Sequence, residues 1–337
     1  MSRLEITIGA GAVLLAAGSF AEAQGFCSAT AKRLFTACGF EVQDDSAAAA
    51  AKCLNLSDKD ERSDCYEEAT EALAESRKEC RRQLNWRRQA CALLGEDRYD
   101  PDFDPASFES DFTNLTNPNA YFPLGINSHW EYRGGGEVNT VDVLGETKLI
   151  DGVTCIVVND LVYKDGELVE DTDDWFAQAK DGNVWYCGEE VKDYETFAGD
   201  DPQKTELVSI DGSFKAGREG DKPGIIFRAA PVEGEAYLEE FSLGNAEDVT
   251  EVLSTDYFYG SDPDLDLFVP PGLANLLCAG DCVVTRNFSL LEPGVEARKY
   301  YASGIGFFLE VDPETGEIIQ LVDCNVDALC AGLPPAP

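Results

Sequence analysis

The chain has 337 residues, with 64 acidic side chains against 26 basic ones, twelve cysteines, a single histidine and a formal net charge of −38. A field of that sign excludes nucleic acid and anionic membrane as natural partners and favours cations and basic surfaces. The length is enough to bury one large core or two smaller ones, and a lone histidine leaves little room for zinc or triad chemistry.

Met1-Ser2-Arg3 leads into an apolar run from Ile6 to Phe20 and then Ala21-Glu22-Ala23. That layout predicts a secretory signal peptide over residues 1–23 with Gln24 as the mature N-terminus. The competing reading, a membrane anchor, needs roughly 20 apolar residues where this run offers about 15. No transmembrane span is predicted in the mature chain. All twelve cysteines follow Gln24, and an even count in an exported chain reads as disulfides rather than as thiols for metal. Location is therefore read as secreted or periplasmic.

Residues 24–95 are nearly neutral, with 11 Lys+Arg against 12 Asp+Glu. Their cysteines are mirrored: 27 and 91, 38 and 80, 53 and 65 each add to 118. Spacings of 11 and 15 residues keep each trio on one helical stripe. Two antiparallel helices facing each other would then be stapled by Cys27–Cys91, Cys38–Cys80 and Cys53–Cys65. Pairing within one helix fails, because 11 residues rise roughly 16 Å and bridged Cα atoms stand at most about 7 Å apart. Ser57 with Asp60 reads as the N-cap of the second helix. The polar stretch from Gly39 to Asp45 is where the first helix is expected to break, if anywhere.

Residues 96–127 shift to Pro, Asp, Asn and aromatics. Pro101, Pro105, Pro118 and Pro123 forbid a long helix, and Phe103, Phe108, Phe112 and Phe122 are expected to dock this connector on the next domain. Residues 96–337 hold 14 Lys+Arg against 50 Asp+Glu, so nearly all of the negative charge lies there. Strand succeeds strand across residues 128–325, at hairpin spacing and without a long amphipathic helix. The strongest signal is Asp181-Gly182, a predicted two-residue turn between the aromatic runs Trp175–Ala179 and Val184–Cys187. Bulk on both faces of that hairpin predicts a sheet covered on each side. The fold class is α+β: a disulfide-stapled antiparallel helical hairpin, then an antiparallel β-rich domain forming a curved sheet, half-barrel or sandwich. Residues 326–337 read as a loose tail.

The segments NPNAYFPLG (117–125), DGVTC (151–155), DWFAQAKDGNVWY (174–186), KPGII (222–226), LEPG (291–294) and YYASGIGFF (300–308) resemble, in this order, a family of uncharacterised secreted bacterial proteins. The resemblance covers about residues 95–322. It implies an exported β-domain behind a cysteine-bearing helical segment, and it carries no catalytic residues. It also implies a Cys155–Cys282 bridge, since family members tend to share those two cysteines. Cys187 departs from the pattern, where an aromatic is usual, and is expected to pair with Cys278. Cys324–Cys330 is read as a local loop. His129 falls where no family histidine is expected.

Carboxylates are the only chemistry in surplus. The hairpin register sets Asp174 opposite Glu189 and Asp173 opposite Glu190, and like charges across a ladder are destabilising. Either the ladder splays, or Ca2+ sits between the carboxylates, or the pair does acid–base work on a glycoside. Asp100, Asp102 and Asp104, and likewise Asp262, Asp264 and Asp266, put oxygens on one side of an extended chain as further candidate calcium ligands, although neither run has the EF-hand glycine. No nucleophile elbow and no phosphate loop are present, and His129 reads as a strand-entry residue. The leading reading is a non-enzymatic, acidic binding or structural module for an unknown envelope or extracellular partner, with Ca2+ as its candidate ion. The alternatives are a carrier of an apolar ligand in a curved sheet, which a large Trp- and Phe-lined cavity would mark, and a carboxylate-dependent glycoside hydrolase.

Overall fold

The computed structural model describes residues 25–336, so the signal-peptide expectation for residues 1–23 lies outside the described residues. Helices α1 (Phe26–Leu54) and α2 (Lys59–Leu94) lie antiparallel. The three expected rungs join them: Cys27–Cys91, Cys38–Cys80 and Cys53–Cys65, with Cα atoms 5.7, 5.9 and 5.6 Å apart. The stretch from Gly39 to Asp45 does not break α1. An interior glycine costs a helix only about 1 kcal/mol relative to alanine, and the rungs at Cys38 and Cys53 hold the helix on either side of the weak stretch. The N-cap of α2 is Asp58 rather than Ser57. Its carboxylate accepts from the backbone N–H groups of Asp60 and Glu61 at 2.7 and 3.0 Å, placing negative charge at the positive helix end.

Among the described residues sixteen strands form one antiparallel sheet. β1 (His129–Gly134), β2 (Glu137–Ile150), β3 (Val153–Lys164), β4 (Glu167–Gln178) and β5 (Val184–Glu190) are a meander of long hairpins. The short β6 (Asp193–Thr196), β7 (Thr205–Ser209) and β8 (Phe214–Lys215) hang from β4 and β5. Then come β9 (Lys222–Phe227), β10 (Ala236–Leu238), β11 (Glu240–Phe241) and β12 (Asp248–Tyr257). After the short helix α3 (Pro271–Leu277), β13 (Cys282–Ser289), β14 (Glu296–Ala302), β15 (Gly306–Val311) and β16 (Ile318–Cys324) lead back to β1.

The path of hydrogen-bonded neighbours begins at β10 and ends at β11, which are separated in the chain by Glu239 alone. β10 pairs with β12 on one side and β11 with β9 on the other, so the kinked segment Ala236–Phe241 brings both edges together. The sheet is nearly closed and barrel-shaped. Gly224 permits that closure: a Cβ at this position would lie 1.8 Å from the Glu239 carbonyl oxygen.

The central hairpin turns through three residues, not two. Ala179 N–H donates to Asn183 O at 2.9 Å, and Gly182, at φ 96°, donates to Ala179 O at 2.9 Å. A residue in the left-handed region after a tight turn is the geometry of a bulged three-residue loop. The register is then displaced by one until a bulge at Cys187 restores it, so that Phe176 faces Tyr186 while Trp175 still faces Gly188. Both faces are covered as expected. Phe176, Val184 and Tyr186 point inward. Trp175, Ala177 and Cys187 point outward beneath Phe103 and Phe108 of the connector, with Trp185 packed against them. Phe112 and Phe122 join the inner cluster.

The bulge also decides the disulfides. Cys187 bridges Cys155 across β4 beside Ala177, and Cys278 bridges Cys282 at the end of α3. The expected Cys155–Cys282 and Cys187–Cys278 pairs are thus corrected. β3 and β13 lie far apart in the sheet order, whereas β3 and β5 flank a single strand. Cys324–Cys330 forms as expected. It closes a turn of 3-10 helix, and Gln320 Nε2 donates to the carbonyls of Pro334 and Pro335 at 3.3 and 3.2 Å. The C-terminal residues through Ala336 are therefore packed on the sheet and not a loose tail.

The arm is fixed to the barrel through α2. Arg87, buried, grips Glu247 with Nε and Nη2 each donating at 2.9 Å. Trp86 Nε1 donates to Ser289 O at 2.9 Å, its ring edge-on to Phe288.

Candidate functional site

The barrel holds a cavity of about 370 Å3 that opens to solvent on one side. Its apolar wall comes from Trp130, Val143, Val158, Phe176 and Phe307, and Phe122, Pro123 and Leu124 of the connector complete it. Its polar wall carries six carboxyl groups from around the barrel: Asp160, Asp174, Glu239, Glu240, Asp248 and Glu310. Among the described residues Lys299 is the only lysine or arginine lining it.

Asp160 and Asp174 point inward because they continue inward-facing apolar positions at a period of two. Asp160 follows Ile156 and Val158 on β3, and Asp174 precedes Phe176 on β4. Lys299 and Glu310 are paired across β14 and β15 and share a face, 3.9 Å apart. The ladder does not splay at the expected acidic pair: Asp174 stands opposite Glu189 and Asp173 opposite Glu190.

Protons resolve the repulsion within the inner pair. Burial, with Glu170 and Asp173 adding to it, pushes the Asp174 carboxyl up to about 7, against the hydrogen bond that Tyr186 OH donates to it. Burial and then the Asp174 charge push Glu189 up to about 8. Because each charge disfavours the other, the two protons leave in succession. Asp160 is raised well above the carboxylate range by burial and by Asp174 and Glu170, eased by Asn139. Glu240 is raised well above it by burial, Asp248 and Glu189. Burial also raises Glu239, although Lys299 and the donors Thr250 and Asn287 oppose this; Asn287 Nδ2 lies 2.7 Å from its Oε1. Lys299 is itself raised: burial works against its charge, and Glu310, Glu239, Asp248 and Glu240 outweigh it.

Two buried acceptors on this wall, Asp160 Oδ1 and Asn139 Oδ1, have no hydrogen-bond partner. Buried acceptors are rarely left in that state.

The other sequence-predicted residues do not join this site. Asp173 accepts from Asn159 Nδ2 at 3.1 Å on the outer face, and Glu190 is exposed there, 3.6 Å from Lys192. Asp100 pairs with Lys222 at 2.7 Å, Asp102 is exposed, and Asp104 caps a 3-10 turn. Asp262 accepts from the N–H of Asp264 at 2.9 Å. Arg298 holds the Asp264 carbonyl, and Asp266 accepts from Tyr257 OH at 2.9 Å and Gly260 N at 3.0 Å. Among the described residues no three His, Cys, Asp or Glu side chains converge to hold a metal ion. His129 opens β1, with Nδ1 2.8 Å from Asp142 Oδ1.

Of the cavity acids only Asp174 stands out by its pattern in the chain. The usable signal for the rest is a charged residue at the inward parity of an otherwise apolar strand. Ile156-Val-Val-Asn-Asp160 and Lys299-Tyr-Tyr301 are examples.

No known protein family, no curated protein and no solved structure matches the chain, so the resemblance over residues 95–322 rests on its motifs alone.

Proposed function

We propose that this is an exported, non-catalytic protein that holds a small molecule inside its β-barrel, with the stapled helical arm as a rigid attachment. The observation that carries the reading is the cavity in the barrel, whose wall combines aromatic rings with buried acceptors that have no partner. Its volume lies at the lower end of the range of small-molecule sites, and its mix of apolar lining with a few convergent polar groups is typical of them. Six disulfides, with no free cysteine among the described residues, fit an oxidising compartment. No helix among the described residues is long and apolar enough to cross a membrane.

Native mass spectrometry of the protein purified without denaturation tests the reading, alongside the cavity-filling variant Val158→Trp. The wild type should retain a bound molecule, or take one up from a mixed small-molecule library, and the variant should not. Identical occupancy of the two proteins would overturn it.

The raised carboxyls of Asp174 and Glu189 favour a second reading, because a proton held near neutral pH is what a general acid needs. Turnover of aryl glycosides by the wild type, abolished in Asp174→Asn and in Glu189→Gln with the fold intact, would establish hydrolysis instead.

A further inference from the structure

We infer, building on the carrier reading, that the cavity takes a small organic ammonium ion, its head among Asp160, Asp174, Glu239 and Glu240 and its apolar body against the aromatic wall. Charge is the first reason. Six carboxyl groups line the space against one ammonium, Lys299, which stands across from Glu310 and is shared with Asp160, Asp174 and Glu239. The acids of β3, β4 and β11 have no lysine or arginine of their own strands in the cavity. Where these acids are ionised, an anionic ligand would enter against their field and a neutral one would leave it uncompensated.

Hydrogen bonding points the same way. The partnerless atoms on the wall, Asp160 Oδ1 and Asn139 Oδ1, are both buried, and both are acceptors once Asp160 is ionised. Their complement is a group that brings only donors, as an ammonium does. Tyr132, Phe176, Tyr186, Tyr301 and Phe307 supply ring faces and edges around it, which suit an organic cation in a desolvated site. A bare divalent ion fits less well, since much of the wall is apolar.

Proton linkage supplies the signature. Asp174 is faced by Glu170 and Asp173 on its own strand, by Glu189 and Tyr186 on β5, by Lys299 on β14, and by Asp160 and Glu240 across the cavity. Empty, this group holds protons near neutral pH. A bound cation favours the ionised forms and expels them, so affinity climbs with pH while the ligand remains charged.

The experiment is calorimetric titration of the full chain with three matched probes, phenethylamine, 2-phenylethanol and phenylacetate, and with calcium chloride alone. The amine should bind about tenfold more tightly than the alcohol, a difference of about 1.4 kcal/mol, and phenylacetate should not bind. Its affinity should rise several-fold from about pH 6 to about pH 8.5, a range in which an alkylammonium keeps its charge. Heats in phosphate and Tris buffers should differ by the protons released. Asp160→Asn, a near-isosteric change, should weaken the amine several-fold and the alcohol by much less, so that the amine-to-alcohol ratio falls. Equal or tighter binding of the alcohol would overturn the inference and leave the carrier reading standing. So would preferential binding of phenylacetate, tighter binding of calcium than of the amine, or no binding by any of the four. The carrier reading fails separately, on the comparison with Val158→Trp. Should Asp160→Asn fail to fold, the amine-to-alcohol ratio and the pH slope of the wild type still decide the matter.

Discussion

Arg87→Met tests how the arm is held. Arg87 and Glu247 form a two-pronged pair with side-chain exposures of 5% and 3%, at the seam between α2 and the barrel. Removing the guanidinium strands a buried carboxylate whose one remaining donor is the Gly244 N–H, at 2.6 Å. Breaking one half of such a pair costs about 3–5 kcal/mol, whereas replacing both halves by apolar groups is often near neutral. Urea unfolding of the disulfide-intact protein should therefore show Arg87→Met destabilised by about 3–5 kcal/mol. The double variant Arg87→Met/Glu247→Leu should recover most of that loss, giving a coupling energy of about 2 kcal/mol or more in the cycle. Added salt should change the single variant's loss little, because a buried pair is weakly screened. A single-variant loss under about 1 kcal/mol, or a double variant no better than the single, would mean that the pair does not anchor the arm.

Gly224→Ala should destabilise the barrel by about 2–4 kcal/mol or prevent its accumulation, because the new Cβ meets the Glu239 carbonyl where the sheet closes; a melting curve matching the wild type would refute the closure argument. Non-reducing peptide mapping should join Cys155 to Cys187 and Cys278 to Cys282, and a peptide linking Cys155 to Cys282 would contradict the fold at the central hairpin. Replacing Cys155 and Cys187 together by alanine should cost about 3–4 kcal/mol by loop-closure entropy, read from urea midpoints. With Asp174 and Glu189 raised to about 7 and about 8 in the folded state, the native protein binds protons more tightly than the unfolded chain does. The contribution of these two groups to stability should be complete below the ordinary carboxyl range and be lost as pH rises through about 8, so that Asp174→Asn flattens the fall in stability between about pH 6 and about pH 9; a variant whose slope there matches the wild type would refute the burial argument.

The arm was legible in the chain because its constraint is one-dimensional. Helical rise and rotation turn the cysteine spacings directly into a ladder, and no tertiary neighbour is needed to read it. The strands were legible for the same reason, a period of two between turn residues. Register was harder. The Asp181-Gly182 signal predicts a two-residue loop, the structure uses three, and the bulge at Cys187 cancels the displacement, so the Asp174–Glu189 pairing holds in spite of an incorrect turn. That one extra residue also carries Cys187 to the outer face, where Cys155 is its neighbour. Disulfides inside a sheet depend on which strands lie two apart, and neither spacing nor shared cysteines encode that. The cavity was least legible. In Tyr237-Leu-Glu-Glu-Phe241 the acids read as solvent-facing, and only closure of the barrel at that segment turns Glu239 and Glu240 inward.

An interior built this way sets stability and binding against each other along the pH axis. Every carboxyl that ionises in the empty cavity adds a buried charge that Lys299 alone offsets within the wall, so the free barrel weakens as protons leave. The same loss of protons raises its attraction for a cation. Protons and the proposed ligand are thus competitors for one set of oxygens, and the ligand's stabilisation should be largest where the empty protein is weakest. A surface cluster would not behave in this way, because water and salt would screen it at every pH. Most of the chain's 64 acidic residues lie on the surface. Those turned inward at Asp160, Asp174, Glu239 and Glu240 cost the fold either a buried charge or a proton held above the ordinary carboxyl range, and the proposed cation is what would offset that cost.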